Sequence, residues 1–283
     1  MKFALVAGAA VALAILYGGV LTGLAREWTS SPDASYGLIL FVVAAAIAWQ
    51  RRGRFADAVD AHAPASAGFT ILLGGLFIYL VGAFGADVFL TRVSFVAVVT
   101  GALCLLAGTR ATRTMTAPLA FLLMAVPLPS LVVNAVTLPL QLVASTIAER
   151  TLMLASVPVF RDGNLLALPS ATLEVAEACS GLRSIVSLAA IGALLAWAVE
   201  GSVWRRAAIV ALTLPIAIVM NGLRIAATGI ACETWGPHVA SGGWHTFTGW
   251  VTFVISTFLL VRAGNAIARS DRGPQLSAQV AAV

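Results

Sequence analysis

Apolar residues fall in long blocks along this chain, at 4–25, 37–50, 68–85, 93–108, 115–127, 182–199, 207–228 and 247–264, with short polar breaks between them. A helix needs about 20 apolar residues to cross the hydrocarbon of a bilayer, and most of these blocks approach that length. The pattern predicts an all-α, polytopic membrane bundle of about eight transmembrane helices. The block at 115–127 is short for a span. The stretch 130–158 is apolar but broken by Pro139, Gln141, Glu149 and Arg150, which reads as an interfacial or re-entrant helix. Residues 156–178 follow a different rhythm: Val157 to Phe160, the turn signal Asp162-Gly163-Asn164, Leu165 to Leu168, a break at Pro169-Ser170, then Leu173 and Val175 alternating with Glu174 and Glu177. Such a pattern suits a small β-hairpin or meander, which would wall a substrate groove; a solvated linker is the plainer reading.

Composition sharpens the class. With 60% apolar and 10% charged residues and a mean hydropathy of +0.97, the chain lies far outside the range of soluble domains. Its net charge of +5 then needs a membrane explanation, because short cytoplasmic loops retain Lys and Arg. With the N-terminus inside, Lys2, Arg51, Arg52, Arg54, Arg110, Arg113, Arg205, Arg206, Arg262, Arg269 and Arg272 fall on the inner side. Arg26, Arg92, Arg150, Arg161, Arg183 and Arg224 are left outside. The basic excess is thus an orientation signal in a membrane, and no nucleic-acid partner is expected. Trp28, Trp49, Trp197, Trp204, Trp235 and Trp244 stand near predicted span ends, where interfacial anchors belong. The first block is longer than the roughly 7–15 residues of a signal-peptide core, so a retained first span is expected. Residues 1–264 are expected to form one transmembrane domain and 265–283 a polar, disordered cytoplasmic tail.

Three polar residues stand where blocks meet the outer side: Cys179 in Ala178-Cys179-Ser180-Gly181-Leu182-Arg183, Arg224 in Asn221-Gly222-Leu223-Arg224-Ile225, and His245 in Trp244-His245-Thr246-Phe247. If the sixth span begins near Ser180, Cys179 sits at a helix N-terminus, where the dipole and Arg183 favour a thiolate and apolar surroundings oppose it. His245 is a candidate base for that thiol and proton donor for a leaving amine. Arg224 would face the oxyanion of a tetrahedral intermediate. Asn221, three residues earlier, shares its helix face. Ser180, Gly181, Arg183 and Asn221 are expected to shape the site. Plainer readings accompany these. Cys104 lies inside a span as a small core residue, and His62 and His238 read as hydrogen-bonded anchors. A disulfide between Cys179 and Cys232 is a structural alternative on an oxidising face. No metal site is expected, since Cys179, His245 and His238 lack ligand spacing and no carboxylate completes a set. No cofactor is expected either.

These strings resemble the exosortase/archaeosortase family of membrane cysteine transpeptidases. The resemblance rests on Ala178-Cys179-Ser180-Gly181-Leu182-Arg183-Ser184, on Pro215 followed by Asn221-Gly222-Leu223-Arg224-Ile225, and on His245 before the last span. Trp28 with Ser35-Tyr36-Gly37, and Phe121 with Pro127-Leu128-Pro129, support it, and the similarity runs from about residue 10 to 264. It implies Cys179 as nucleophile, Arg224 as the arginine that stabilises the oxyanion or orients substrate, and His245 as acid and base. It also implies membrane-anchored substrates with a C-terminal tripartite signal of short motif (such as Pro-Glu-Pro), hydrophobic helix and basic cluster, processed on the extracytoplasmic face in settings linked to exopolysaccharide. Many relatives carry a histidine where Tyr36 stands, so any role for that histidine is absent or altered here. Two rival readings use the same residues: a small-solute transporter with Arg224 and His245 near a water-filled cavity, and a non-catalytic scaffold of a polysaccharide or secretion system.

Overall fold

Each apolar block becomes a helix, and small residues decide how closely the helices approach. The computed structural model describes residues 2–31, 34–60, 66–175, 182–199, 202–240 and 242–269, in two units, Met1–Pro129 and Ser130–Val283. The first unit contains α1 (Lys2–Ser30), α2 (Tyr36–Gln50), α3 (Arg52–Asp57), α4 (Ser66–Phe84), α5 (Val88–Ala107), α6 (Thr109–Thr114) and α7 (Thr116–Met124). Along α4, Gly68, Gly75 and Gly82 recur every seven residues and are all buried. A Cβ at Gly68 would stand 2.5 Å from the Leu105 backbone nitrogen, one at Gly75 2.7 Å from Val98 Cγ2, and one at Gly82 2.9 Å from Leu90 Cβ, all on α5. Gly101 of α5 returns the arrangement, with Leu72 of α4 2.5 Å from its Cβ position. This is the close backbone packing that small residues allow where lipid supplies no hydrophobic drive between helices.

Polar contacts fix the two ends of that unit. At one end Trp28 Nε1 donates to the Ala125 carbonyl at 3.0 Å, and Arg92 pairs with Glu27 at 2.5 Å. Gly37 has no room for a side chain there, because a Cβ would run into the Trp28 indole and stand 2.8 Å from the Ala125 oxygen. Trp28, expected as an interfacial anchor, is only 8% exposed; its ring is a packing element that ties α1 to the end of α7. At the other end Arg51 Nη1 donates to the Thr114 carbonyl at 2.9 Å, and α3 packs beside α6. The basic clusters Arg51-Arg52-Arg54 and Arg110–Arg113 therefore meet. Tyr17, fully buried, bonds to Ser94 at 3.0 Å and makes edge contacts with Tyr79 and Phe95, which holds α1 in the core.

The second unit runs α8 (Ser130–Leu154), β1 (Phe160–Asp162), β2 (Leu165–Ala167), β3 (Thr172–Glu174), α9 (Leu182–Ala198), α10 (Val203–Trp235), a 3-10 turn (Pro237–Ala240) and α11 (Gly242–Arg269). The stretch read as interfacial or re-entrant is instead the 25-residue α8, long and apolar enough to span. Its buried face explains part of the difference: Thr137, Gln141, Ala144, Ser145, Ala148 and Leu152 point inward together, so Gln141 is turned into the protein, while Glu149 is paired with Arg161 near the end of the helix. Ser145 Oγ donates to the Gly163 carbonyl at 3.0 Å. The strands form an antiparallel meander in the order β1-β2-β3. Gly163, at φ +61°, takes the first position of the two-residue turn, where a hairpin favours glycine. Leu166, Leu168 and Val175 join Ala144, Ala148 and Leu152 of α8 and Ile225 and Ala226 of α10 in one core.

Among the described residues six helices are long and apolar enough to cross a membrane: most of α1, then α4, α5, α8, α10 and most of α11. The remaining expected spans form shorter helices, α2 with 15 residues, α7 with nine and α9 with 17. The chain is thus a polytopic helical membrane protein with one small sheet. Helix α11 continues to Arg269, past residue 265 where a disordered tail was expected to begin.

Candidate active site

Arg224 lies inside α10, and the helix places each residue of Asn221-Gly222-Leu223-Arg224 on a defined side. At about 100° per residue, Gly222 and Arg224 point in nearly opposite directions. Gly222 faces α8, where a Cβ would stand 2.7 Å from the Ile147 side chain. Arg224 and Asn221 turn the other way, into a cleft also lined by Leu188 of α9, Ala217 of α10 and Thr252, Phe253 and Ser256 of α11. The cleft is narrow, about 10 Å3 in volume, and partly open to the outside. The floor and walls beneath it are apolar, with Leu188, Ala217 and Leu260 buried together.

The polar groups of the cleft divide sharply into committed and uncommitted ones. Thr252 Oγ1 donates to the Thr248 carbonyl at 2.7 Å, and Ser256 Oγ donates to the Thr252 carbonyl at 2.8 Å. Their hydroxyl protons are therefore used within α11. Arg224 Nη2 is buried and makes no hydrogen bond among the described residues. Its Nη1 rests on α11, 3.4 Å from where a Cβ of Gly249 would be. Leaving a charged donor buried and unsatisfied costs about 1–3 kcal/mol or more, which marks this nitrogen as a candidate position for a ligand.

Position 245 stands one turn before Gly249 on α11. Residues four apart share a helix face, so Gly249, Thr252 and Ser256 continue the face that begins at His245. The start of α11 is held by aromatic contacts: Trp235, the last residue of α10, meets Trp244 edge-on at 5.5 Å, and Trp244 meets Phe247 at 5.9 Å. Cys179, Ser180 and Gly181 lie outside the described residues, as do His62 and Arg272, and the side chains of Arg183 and His245 lie outside the described part of their helices. The flanks of Cys179 are both anchored. Val175 is buried in the core shared with α8 and α10, and Leu182 opens α9, which packs on α10 and α11. Cys104 and Cys232 are buried free thiols; Cys232 packs with Ala231 and Val239.

A scan of the chain against family models matches the transmembrane exosortase family over residues 28–262. The chain belongs to the transmembrane exosortase family. The matched region starts at Trp28, contains Cys179, Arg224 and His245, and ends at Arg262. No curated protein and no solved structure matches the chain. This exosortase-family protein is a multi-pass membrane protein. Of the cleft, sequence reasoning singled out Arg224 and Asn221 and passed over Leu188, Ala217, Thr252, Phe253 and Ser256. The signal for Thr252 and Ser256 was available as polar residues at helical spacing after His245.

Proposed function

We propose that this protein is a membrane-embedded cysteine peptidase or transpeptidase that removes the C-terminal sorting signal of exported, membrane-anchored proteins, and that its active site faces the extracytoplasmic side of a bacterial inner membrane. The observation that carries the reading is the buried, uncommitted Nη2 of Arg224, on a guanidinium that rests against the α11 face beginning at His245, in a chain of the exosortase family. From Arg205 to Arg224, α10 rises about 29 Å, close to the roughly 30 Å thickness of a hydrocarbon core. With the basic end inside, Arg224 then stands at the outer boundary. The convergence of Arg51, Arg52 and Arg54 with the Arg110–Arg113 helix at one end of the first unit supports the same orientation.

In this scheme the Cys179 thiolate attacks the scissile carbonyl carbon, forming an S–C bond, while Arg224 donates to the oxyanion. The C–N bond breaks as imidazolium His245 gives its proton to the leaving amine, the new N-terminus of the substrate's helical tail. An acceptor nucleophile then attacks the thioester, His245 takes its proton, and the thiolate departs. Water in place of that acceptor gives hydrolysis. Asn221 and Arg183 shape the site around these three, with Ser180 and Gly181 beside the nucleophile. A substrate anchored by its own helix meets the enzyme in two dimensions, which turns a dilute encounter into a local one.

The test is intact-mass and gel-shift analysis of a tripartite-tailed protein co-expressed with wild type and with Cys179→Ala, Arg224→Ala and His245→Ala. Shortening by wild type alone is expected. Shortening that persists in Cys179→Ala overturns the cysteine mechanism.

A further inference from the structure

The strand before the nucleophile segment has an open edge. In the β2–β3 pair, Leu168 N–H donates to the Ala171 carbonyl and Val175 N–H to the Asn164 carbonyl, each at 2.9 Å. Those bonded pairs flank the register Ala167↔Thr172, Leu166↔Leu173 and Leu165↔Glu174. Bonded and non-bonded pairs alternate in an antiparallel ladder, so Leu173 bonds to β2 while Thr172 and Glu174 turn their N–H and C=O groups away from it. Both residues are exposed, β3 is last in the sheet order, and among the described residues nothing bonds to those outward groups. The opposite edge differs. There only Arg161 of β1 turns outward, and its side chain folds back onto Glu149 at 2.7 Å and the Gly163 carbonyl at 3.1 Å, covering the edge with charge.

The position of β3 decides what fits that edge. Its Leu173 side chain packs against the core that α8 and the sheet share with Ile225 and Ala226 of α10, and against the cluster of Ala231, Cys232 and Val239. The chain then leaves β3 through buried Val175 and reaches Cys179 four residues later. Outward N–H and C=O groups on alternate residues match only another extended backbone. Resting on the peptidase reading above, we infer that the edge of β3 is the substrate-docking strand: the segment of the exported protein that precedes its membrane helix adds to β3 in extended form, paired with Thr172 and Glu174, and is thereby led toward Cys179. Main-chain bonds supply this recognition, so the edge holds the peptide's backbone and leaves its alternate side chains free for selection elsewhere.

Single cysteines test it. Thr172→Cys and Glu174→Cys, each in the Cys179→Ala background, are co-expressed with a tripartite-tailed protein carrying one cysteine at successive positions ahead of its helix, and disulfide cross-links are counted; Arg161→Cys is the control edge. Cross-links from 172 and 174 are expected at every second substrate position, displaced by two between the two variants, and absent from 161. Cross-links that are uniform, absent, spaced three to four apart or formed only between two copies of the enzyme overturn the docking strand. The wild-type enzyme with the same substrate separates the two readings. Cys179-dependent shortening without alternating cross-links removes the docking strand alone, and alternating cross-links without shortening remove the catalytic reading alone.

Discussion

Arg224 combines two properties that rarely meet, a position inside a helix long and apolar enough to span and a buried nitrogen that bonds to nothing among the described residues. A lysine there would keep the charge and lose the planar fork, so Arg224→Lys is expected to lower substrate processing about 100-fold while the protein still purifies as a folded membrane protein. Near-normal processing in that variant would make Arg224 an anchor. The pairing of Arg224 with Asn221 was legible beforehand, because three-residue spacing fixes a shared helix face whatever surrounds it. Gly249 was not, since its contribution is a missing Cβ and a missing atom leaves no mark on hydropathy. Trp28 shows the opposite failure. A tryptophan near a span end looks the same in sequence whether it floats in the interface or, as here, locks into a groove opposite Gly37. Gly37→Ala should displace the indole and break its bond to Ala125, a loss of about 2–4 kcal/mol from overpacking and an orphaned N–H together. Thermal unfolding in detergent measures it, and an unchanged midpoint would show that the groove has slack.

Helices α4 and α5 depend on glycine in a way periodicity of apolar residues does not reveal. Both read as uniformly greasy spans, and the seam between them is drawn by Gly68, Gly75 and Gly82. Filling its centre with Gly75→Leu should cost more than about 3 kcal/mol, because the atoms in the way include the backbone nitrogen of Val98 at 2.9 Å, which cannot rotate aside. The expected result is loss of the folded fraction in size-exclusion chromatography; Gly74→Leu, beside it in sequence with nothing near its Cβ position, is the comparison and should retain it. The strands were legible because their turns are written in residue types, Asp162-Gly163-Asn164 and Pro169-Ser170. Helix α8 was misjudged for a stated physical reason. Thr137, Gln141 and Ser145 lie on one buried face, and burial against other elements cannot be read from a local average.

Across the whole molecule, two of the three cysteines are sequestered: Cys104 is 3% exposed and Cys232 fully buried. A membrane-impermeant maleimide applied from the extracytoplasmic side is therefore expected to add one label per chain and none to Cys179→Ala, read by intact mass. Labelling that survives that substitution would contradict both the burial of Cys104 and Cys232 and the placing of the nucleophile. The membrane class was legible over the chain because composition is a global property. The cleft was not, because it is made by the meeting of α9, α10 and α11. One consequence lies in the length of α10. Its 33 residues reach about 50 Å, some 20 Å beyond what a bilayer's oily interior requires, and the surplus past Arg224 is the mast on which the sheet is mounted. On the peptidase reading, the distance between lipid and reaction plane is built into this one helix, and substrates whose cleavage point lies too near or too far from their own anchor are expected to miss the plane, whatever their motif.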